Sequence, residues 1–584
     1  MIEKEYDLVV VGGGISGICA AIAGARKGLK TALINNRPVL GGNASSEIKM
    51  HICGADYHGS KPNTRETGII EELLLANKAV NPQNSFSILD TILWEKTKFQ
   101  KNLDLYLNTH LYSVDVLDNK INKIFCNQLT TEKVFSFNSK YFVDSTGDGY
   151  LGFLSGAEYM VGKEGKSTFN EELAPEEYQN ITMGSSLMFK AIKLDKKVPF
   201  KKPSWAKTFT EEDLKFRDHS NFDFGYWWIE LGGDKLNTIS DSEEIRDELL
   251  KSVFGVWDHI KNGGNHGADN YVLDWVGFLP GKRESRRLSG DYVLKEKDLL
   301  DGKVFEDAVA YGGWPMDIHA VGGIDNKEEP TKWNCSNLLY SIPYRALYSK
   351  NISNLFIGGR AISASHVAFS STRVMATCGV IGQAIGTAAA LCNEKNIVPR
   401  ELLKDISTLQ KILIKDDCYI PGQREKLEIY DNAQVVASSY KLGYEPENVI
   451  NGWQRNIGND INMWSSTKED KEKYIEIILE SEKEINEVII DFNSNLSREI
   501  MITQVPGNQK NILNELPSEL VKDYVLTIFD KNDKIVYENK VIDNIQRHNI
   551  HNFNNLVVKK IRVKVLNTYG SEEAQIFDIK VYKN

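Results

Sequence analysis

Cysteine is scarce in this sequence, with seven residues among 584 and no Cys-x-x-Cys pair. Disulfide frameworks typically use an even number of cysteines, and cysteine-based zinc sites use closely spaced pairs. We therefore predict reduced thiols, a cytoplasmic protein and no bound metal.

Long uncharged apolar runs are also missing. No stretch of about 18 such residues occurs, so we expect no membrane span. The N-terminus enters its first strand without a basic segment followed by an apolar one, so we expect no signal peptide. Basic residues are fewer than acidic ones, with 70 Lys and Arg against 80 Asp and Glu. A net charge of -10 argues against nucleic acid as the main partner.

The clearest motif is a predicted strand, glycine turn, helix and strand between Tyr6 and Asn35. Gly12 permits a tight turn, Gly14 lets the backbone approach a pyrophosphate, and Gly17 lets the helix pack close to the strand. The helix N-terminus would face the phosphates. This context predicts a dinucleotide-binding βαβ unit.

The position that usually carries an acid for the ribose hydroxyls is Asn35. An amide bonds a hydroxyl less strongly than a carboxylate does. Arg37 follows closely and is compatible with a 2′-phosphate. The motif by itself therefore leaves NADP and FAD open.

Two later segments repeat the pattern of a strand entering a glycine turn: YFVDSTGDG, ending at Gly149, and NLFIGGRAIS, starting at Asn354. From Thr372 a helix of small and apolar residues is predicted, whose inward N-terminus would supply positive potential. Between these segments lies a tryptophan-rich region with the basic run GKRESRR from Gly281. That run is either a solvated face or a contact with a buried anion or flavin.

Together these motifs resemble the FAD-dependent oxidoreductases of the glutathione-reductase-type fold, in the branch related to fumarate reductase flavoproteins and the heterodisulfide reductase A subunit. The resemblance rests on GGGISG, RPVLGGNASSE, DSTGDG, GKRESRR and the run SHVAFSSTRVMATC. It covers Glu3 to about Arg400 and implies FAD as cofactor. The positions that it implies around FAD are Gly12, Gly14, Ile15, Ser16, Gly17, Asn35, Asn36, Arg37, Gly41, Gly42, Asn43, Ser45, Ser46, Thr146, Gly147, Asp148, Gly359, Arg360, Thr372 and Arg373.

After about Tyr430, short alternating β runs indicate an antiparallel sandwich. Its start resembles discoidin-like (coagulation factor 5/8 type C) modules, a jelly-roll family that often binds glycans; an oligomerisation or packing role is the alternative. The predicted architecture is an α/β Rossmann-type FAD-binding fold (residues 1–160 and 341–415), an inserted α+β substrate domain (161–340) and a β-sandwich (430–584). A homo-oligomer is compatible with this organisation.

The leading hypothesis is hydride transfer between FAD N5 and a small polar substrate, such as a carbohydrate or sugar acid. Reduction of an activated double bond and electron transfer with an iron–sulfur partner chain are the alternatives. Oxidation of a CH–OH carbon needs a base, and His366, between the third glycine turn and the helix, is the first candidate. His51 is the second and His319 the third.

Arg373 is the candidate cation for the flavin N1/O2 edge or for a substrate carboxylate. Three further residues are predicted to bind substrate: Tyr344, Arg345 and Arg286.

Overall fold

The computed structural model describes residues 1–223, 225–264, 266–336, 338–503 and 512–583. These residues form two compact units. The larger consists mainly of Met1–Gly54 and Asn84–Leu409, and the smaller of Ala55–Gln83, Gln410–Ile500 and the C-terminal strands. The helices are Ile15–Arg26, Ile69–Val80, Phe86–Lys98, Tyr150–Leu154, Lys166–Phe169, Ser242–Asp258, Glu296–Leu300, His366–Thr372, Met375–Lys395 and Ile406–Lys415.

The larger unit is built on a mixed seven-stranded sheet. The strands follow the spatial order Leu103–Tyr106, Thr31–Ile34, Ile2–Val11, Lys133–Asp144, Lys120–Gln128 and Thr109–Leu117, with Leu355–Ile357 also paired to Lys133–Asp144. The first four of these strands and Leu355–Ile357 are parallel. The apolar run Leu8 to Val11 of the first strand is buried, as expected for a parallel strand covered on both faces.

Three parallel strands end at the same edge of this sheet. Val11 lies opposite Ile34 on one side and Asp144 on the other, and Asp144 lies opposite Ile357. The three glycine turns predicted from the sequence therefore begin side by side. Ligands of open α/β sheets bind at this carboxyl edge.

The helix predicted to begin at Thr372 begins at Met375 in the structure, and a short helix that was not predicted precedes it. His366–Thr372 is a separate short helix, capped by Ser365, whose Oγ accepts a hydrogen bond from the Ala368 amide. Val374 is extended (φ −68°, ψ 146°), and the long helix begins only at Met375. The break places Arg373 in a non-helical corner between the two helices.

The long helix Met375–Lys395 packs directly on the first helix. A Cβ at Gly382 would lie 2.1 Å from the Ser16 carbonyl oxygen, and one at Gly386 would lie 2.2 Å from that of Ala20. One apolar stretch of 18 residues was overlooked in the sequence, since by length and composition the long helix could cross a membrane; 89% of its most apolar window is buried inside the protein. Helices at the core of globular proteins pass the same test.

Residues 159–343 carry short strands and one long helix. The strands are Tyr159–Met160, Ser185–Ser186, Phe189–Lys193, Glu230–Leu231, Tyr271–Val276, Gly281–Lys282, Arg287–Leu288, Ala308–Gly312, Met316–His319, Thr331–Asn334 and Tyr340–Pro343. A core of aromatic and aliphatic side chains, including Phe189 and Trp257, packs around the helix Ser242–Asp258. The assignment of residues 161–340 as a substrate domain stays a prediction.

The smaller unit contains an all-antiparallel β region. Its strands are Gln434–Ala437, Trp464–Ser465, Tyr474–Phe492, Val521–Phe529, Ile535–Val541, His548–Thr568 and Gln575–Tyr582. The sequence predicts two strands, YIEIIL and EVIIDF, where the structure has the single strand Tyr474–Phe492. The residues between them are charged but include no glycine or proline, so the chain continues through a register shift. Trp464 is completely buried in this unit.

Segment Ala55–Gln83 belongs to this smaller unit, which the sequence did not indicate. Arg65, almost fully buried, pairs with Glu71 through two bonds of 3.0 and 2.7 Å. It also donates to the carbonyl oxygens of Ser494 and Asn495 at 3.0 and 2.9 Å. The segment is thus joined to the β region by hydrogen bonds from the buried guanidinium group of Arg65, which Glu71 neutralises.

Candidate functional site

A cleft of about 330 Å³ opens where the three glycine turns meet. Its lining includes most of the positions that the sequence predicts around a cofactor: Gly12, Gly14, Ile15, Ser16, Asn35, Asn36, Arg37, Gly41, Gly42, Asn43, Thr146, Gly147, Asp148, Gly359, Arg360 and Arg373. The four others, Gly17, Ser45, Ser46 and Thr372, are not among the lining residues. Sequence positions as far apart as 11 and 378 therefore converge on one space.

The first turn shows why each of its glycines is required. Gly12 has φ +108°, and a Cβ there would lie 2.1 Å from the Ser145 carbonyl oxygen. A Cβ at Gly17 would lie 1.9 Å from the Gly12 carbonyl oxygen, so this glycine serves packing. A Cβ at Gly14 would meet nothing in the described chain within 4 Å. Only a ligand approaching the backbone requires the absence of a side chain at Gly14.

The cleft is strongly cationic although the whole chain carries a net charge of -10. Among the lining residues that the structure describes, Asp148 is the only carboxylate, and the cationic ones are Arg37, Lys282, Arg283, Arg360 and Arg373. Asp148 accepts hydrogen bonds from Lys282 at 2.7 Å and from Arg360 at 2.9 Å. Burial alone would raise the pKa of Asp148, but the charges of Arg360 and Lys282 lower it to about 2. Such a cleft favours an anionic ligand.

Asn35 holds the turn together. Its Oδ1 accepts a hydrogen bond from the Gly13 amide at 3.1 Å, and its Nδ2 donates to the Val39 carbonyl oxygen at 2.8 Å. The next cation, Arg37, pairs with Glu47 at 3.2 Å, and burial lowers the pKa of Arg37. Contacts of Asn35 and Arg37 with a cofactor stay predictions.

Several buried polar atoms on the cleft have no hydrogen-bond partner within the part of the chain that the structure describes. They include the hydroxyls of Ser16 and Ser145 and the Nε atoms of Arg360 and Arg373. Buried polar groups are normally paired, so these atoms suit a polar ligand. With the open backbone at Gly14 and the positive charge, they fit a dinucleotide that carries a pyrophosphate.

At one end of the cleft, two arginines are backed by buried acids. Arg283 Nη1 lies 3.3 Å from Glu230 Oε2, and Arg373 Nη2 lies 2.8 Å from Asp317 Oδ2. His319 links the two acids, with Nδ1 2.7 Å from Glu230 and Nε2 3.2 Å from Asp317.

Both acids in this chain of contacts are held ionised. Burial would raise the pKa of Glu230, but Arg283, His319 and Arg373 lower it to about 2. Burial opposes the charged form of Asp317 as well, yet His319 and Arg373 lower the pKa of this carboxyl. The acids therefore hold the two guanidinium groups in fixed positions beside the cleft.

The predicted bases His366 and His51 are absent from the lining residues that the structure describes. His366 Nδ1 lies 3.0 Å from Glu284 Oε1, and its buried Nε2 has no partner in the described chain. Glu284 also binds Arg287 at 3.1 Å, so His366 belongs to a buried ionic cluster. His51 is buried, and this burial lowers its pKa to about 4. Their role as bases stays a prediction.

The predicted substrate residues also have partners elsewhere. The Tyr344 hydroxyl donates to the Pro399 carbonyl oxygen at 2.9 Å, and Arg345 pairs with Asp307 through bonds of 2.9 and 3.0 Å. Arg286 lies over the Phe153 ring at 4.0 Å. These three residues are not among the described lining residues, and their substrate role stays a prediction.

Sequence reasoning missed several lining residues. Thr109, His110 and Leu111 belong to an edge strand with no motif, and Tyr150 follows the second glycine turn. In the basic run, Lys282 and Arg283 line the cleft and Arg286 does not. The arginine count of this run was a usable signal, but only the three-dimensional contacts tell which arginine faces the ligand.

Comparison with known proteins gives a family for most of the chain. A family model described as FAD dependent oxidoreductase matches residues 7–413. This range contains every residue that lines the cleft.

Several solved structures match a quarter of the chain. A fucose binding module from Streptococcus pneumoniae is 15% identical, with 27% of this chain and 97% of the module covered and a TM-score of 0.21. The family 32 module of C. perfringens NanJ, in complex with galactose, is 13% identical, with coverages of 26% and 96% and a TM-score of 0.20. The family 32 carbohydrate-binding module of Streptococcus pneumoniae EndoD is 16% identical, with coverages of 27% and 99% and a TM-score of 0.21.

Proposed function

Because the chain belongs to the FAD dependent oxidoreductase family, we propose that it transfers hydride between FAD and a small polar substrate bearing a carboxylate, such as a sugar acid. When bound, FAD supplies the hydride-accepting and hydride-donating chemistry. The residues that would hold it are those of the three glycine turns and the cationic side chains of the cleft.

The observation that carries this proposal is the pair of arginines at one end of the cleft. Arg373 is 13% exposed at its side chain, is fixed by Asp317, and has an Nε with no partner in the described chain. Arg283, fixed by Glu230, lines the same cleft. Guanidinium groups bind carboxylates through paired hydrogen bonds, so this end suits an acid better than a neutral polyol.

The sugar part of the proposal has separate support. The start of the C-terminal β region resembles discoidin-like modules, a family that often binds glycans. A sugar acid would satisfy both observations, because it combines a sugar with a carboxylate that the two arginines can bind.

A second candidate is the reduction of a double bond activated by a carboxylate. The same arginines would bind such an acid equally well. The direction in which flavin and substrate exchange electrons distinguishes the two candidates.

The proposed carboxylate contact is tested by titrating FAD-loaded protein with simple carboxylates and following the perturbation of the flavin spectrum. We expect Arg373→Lys to weaken carboxylate binding about 10-fold or more, since a charged hydrogen bond is lost. Arg400→Lys is the matched control, because Arg400 pairs with Asp291 through two bonds of 2.6 Å and is not among the lining residues that the structure describes. Equal weakening in both variants, or none in Arg373→Lys, would contradict the contact.

A further inference from the structure

Three histidines and one glutamate of the inserted region direct their side chains to one point. They are Glu211, His219, His259 and His266, and one ligand atom from each lies within 4.8 Å of the others. His266 Nε2 is 3.2 Å from His259 Nε2 and 3.2 Å from Glu211 Oε1. Glu211 Oε1 is also 3.3 Å from His259 Nε2, and Glu211 Oε2 is 3.7 Å from His219 Nε2. None of the four lines the flavin cleft described above.

These separations match the edges of a metal-centred tetrahedron. Zinc bonds to imidazole nitrogen are about 2.0–2.1 Å long, so two ligands of a tetrahedral ion lie about 3.3 Å apart. Three of the four distances given above are 3.2 to 3.3 Å and the fourth is 3.7 Å, and the ligand atom of His219 lies within 4.8 Å of those of the other two histidines. An ion fits at the centre with small movements of the side chains.

The surrounding protein presents the ring nitrogens in the form that binds metals. His219 Nδ1 lies 2.6 Å from the Arg217 carbonyl oxygen. Because a carbonyl oxygen only accepts, Nδ1 carries the proton and Nε2 keeps its lone pair toward the cluster. A hydrogen bond of this kind, on the ring nitrogen that does not bind the ion, orients most metal-binding histidines.

The backbone at the cluster is firmly placed. Arg217 is buried and donates to the carbonyl oxygens of Gly323 and Asn326 at 2.9 and 3.1 Å. His259 is buried and starts a π-helical turn, His259–Gly263, that continues the long helix Ser242–Asp258. Such turns are often found at functional sites. Glu211 is the exposed member, with 64% of its side chain accessible.

We propose that His219, His259, His266 and Glu211 form a four-coordinate zinc site. Imidazole and carboxylate ligands with tetrahedral spacing suit Zn²⁺. The ion ties the segment around residues 211–219 to the end of the long helix, and so stabilises the inserted region. This revises the expectation of no metal, which rested on cysteine spacing alone.

The experiment measures zinc in the full-length, FAD-loaded protein by elemental analysis, and its affinity by competition with a chromogenic chelator. Wild-type protein should hold one zinc per chain. His266→Gln and Glu211→Gln should bind zinc about 10-fold or more weakly. Glu212→Gln is the matched control, since the neighbouring Glu212 is exposed and contacts only Lys215 among the ion pairs of the described residues.

Thermal unfolding with and without EDTA gives a second readout. EDTA should lower the Tm of wild-type and Glu212→Gln protein but leave that of His266→Gln unchanged. Flavin absorbance reports whether each variant is folded. If His266→Gln is insoluble, Glu211→Gln, which alters an exposed side chain, provides the test of zinc binding in its place. Zinc binding by Glu211→Gln or His266→Gln that equals the wild type, or wild-type protein without stoichiometric zinc after incubation with Zn²⁺, would overturn the proposal.

Discussion

Replacing Gly14 by alanine should weaken FAD binding strongly without unfolding the protein. The backbone at Gly14 has φ −71° and ψ 176°, which any residue adopts, and an added Cβ would meet no described atom of the chain within 4 Å. Alanine at a helix N-cap costs up to about 1 kcal/mol. The reduced freedom of the unfolded chain offsets about 0.4–1 kcal/mol of this. The free energy of unfolding of the apoprotein should therefore change by less than about 1 kcal/mol.

The new methyl group would stand between the Gly14 backbone and a bound phosphate. A hydrogen bond to a charged group contributes about 1.5–3 kcal/mol, so losing two costs about 3 kcal/mol or more. That corresponds to a Kd for FAD weaker by on the order of 100-fold. Fluorescence titration with FAD measures this Kd, and urea denaturation of the apoprotein measures the free energy of unfolding.

Gly17→Ala is the matched control, because it alters a glycine of the same turn that serves packing, and so shows how a loss of stability differs from a loss of the cofactor contact. Its Cβ would lie 1.9 Å from the Gly12 carbonyl oxygen, so the helix must shift. We expect Gly17→Ala to lower the free energy of unfolding by about 1–3 kcal/mol. Wild-type FAD affinity in Gly14→Ala would refute the assignment of this turn to the cofactor.

Three further predictions follow from buried groups. Burial lowers the pKa of His51 from an ordinary 6.5 to about 4, so the free energy of unfolding should fall by about 3 kcal/mol as the pH drops from 6.5 to 4. His51→Gln should reduce this pH dependence, which urea denaturation at a series of pH values measures. An unchanged pH dependence in the variant would contradict the burial argument. His366→Gln should lower the Tm, because the ring is buried against Glu284, and its predicted role as general base requires a loss of flavin reduction of about 100-fold or more; near-normal reduction would remove His366 from the mechanism. A chain ending at Asp416 should aggregate, as size-exclusion chromatography would show, because it lacks the Ser494 and Asn495 carbonyl oxygens that accept hydrogen bonds from Arg65. A monodisperse, FAD-binding product would show that segment 55–83 folds without the β region.

The carboxyl edge of the main sheet could be predicted from the sequence because its information is local. Each strand runs directly into its own glycine turn, and parallel pairing brings such turns to one edge. The structure accordingly places Val11, Asp144 and Ile357 side by side. The ends of these strands, and the sheet edge that binds the ligand, could therefore be predicted without knowing any contact between distant residues.

The acid-backed arginines could not be predicted in the same way. Arg283 and Glu230 are separated by 53 positions, and Arg373 and Asp317 by 56. No periodic pattern in the sequence connects them, since short irregular strands bring them together. The basic run around Arg283 was visible, but its partners were not.

The break before the long helix was missed for a different reason. Thr372, Arg373 and Val374 have no glycine or proline among them, so nothing in this stretch predicts an interruption. Arg373 lies in the corner that results, bonded to Asp317. A long-range contact here overrides local helix propensity.

Anaerobic mixing of FAD-loaded protein with a sugar acid, and separately with its neutral parent sugar, tests the central claim most directly. Hydride transfer would bleach the oxidised flavin band, and its rate is read by stopped-flow absorbance. We predict rapid bleaching by the acid, slow or no bleaching by the neutral sugar, and loss of this preference in Arg373→Lys. Equal bleaching by the two sugars, or an oxidised flavin that no sugar acid in a panel reduces, would contradict the proposed substrate class.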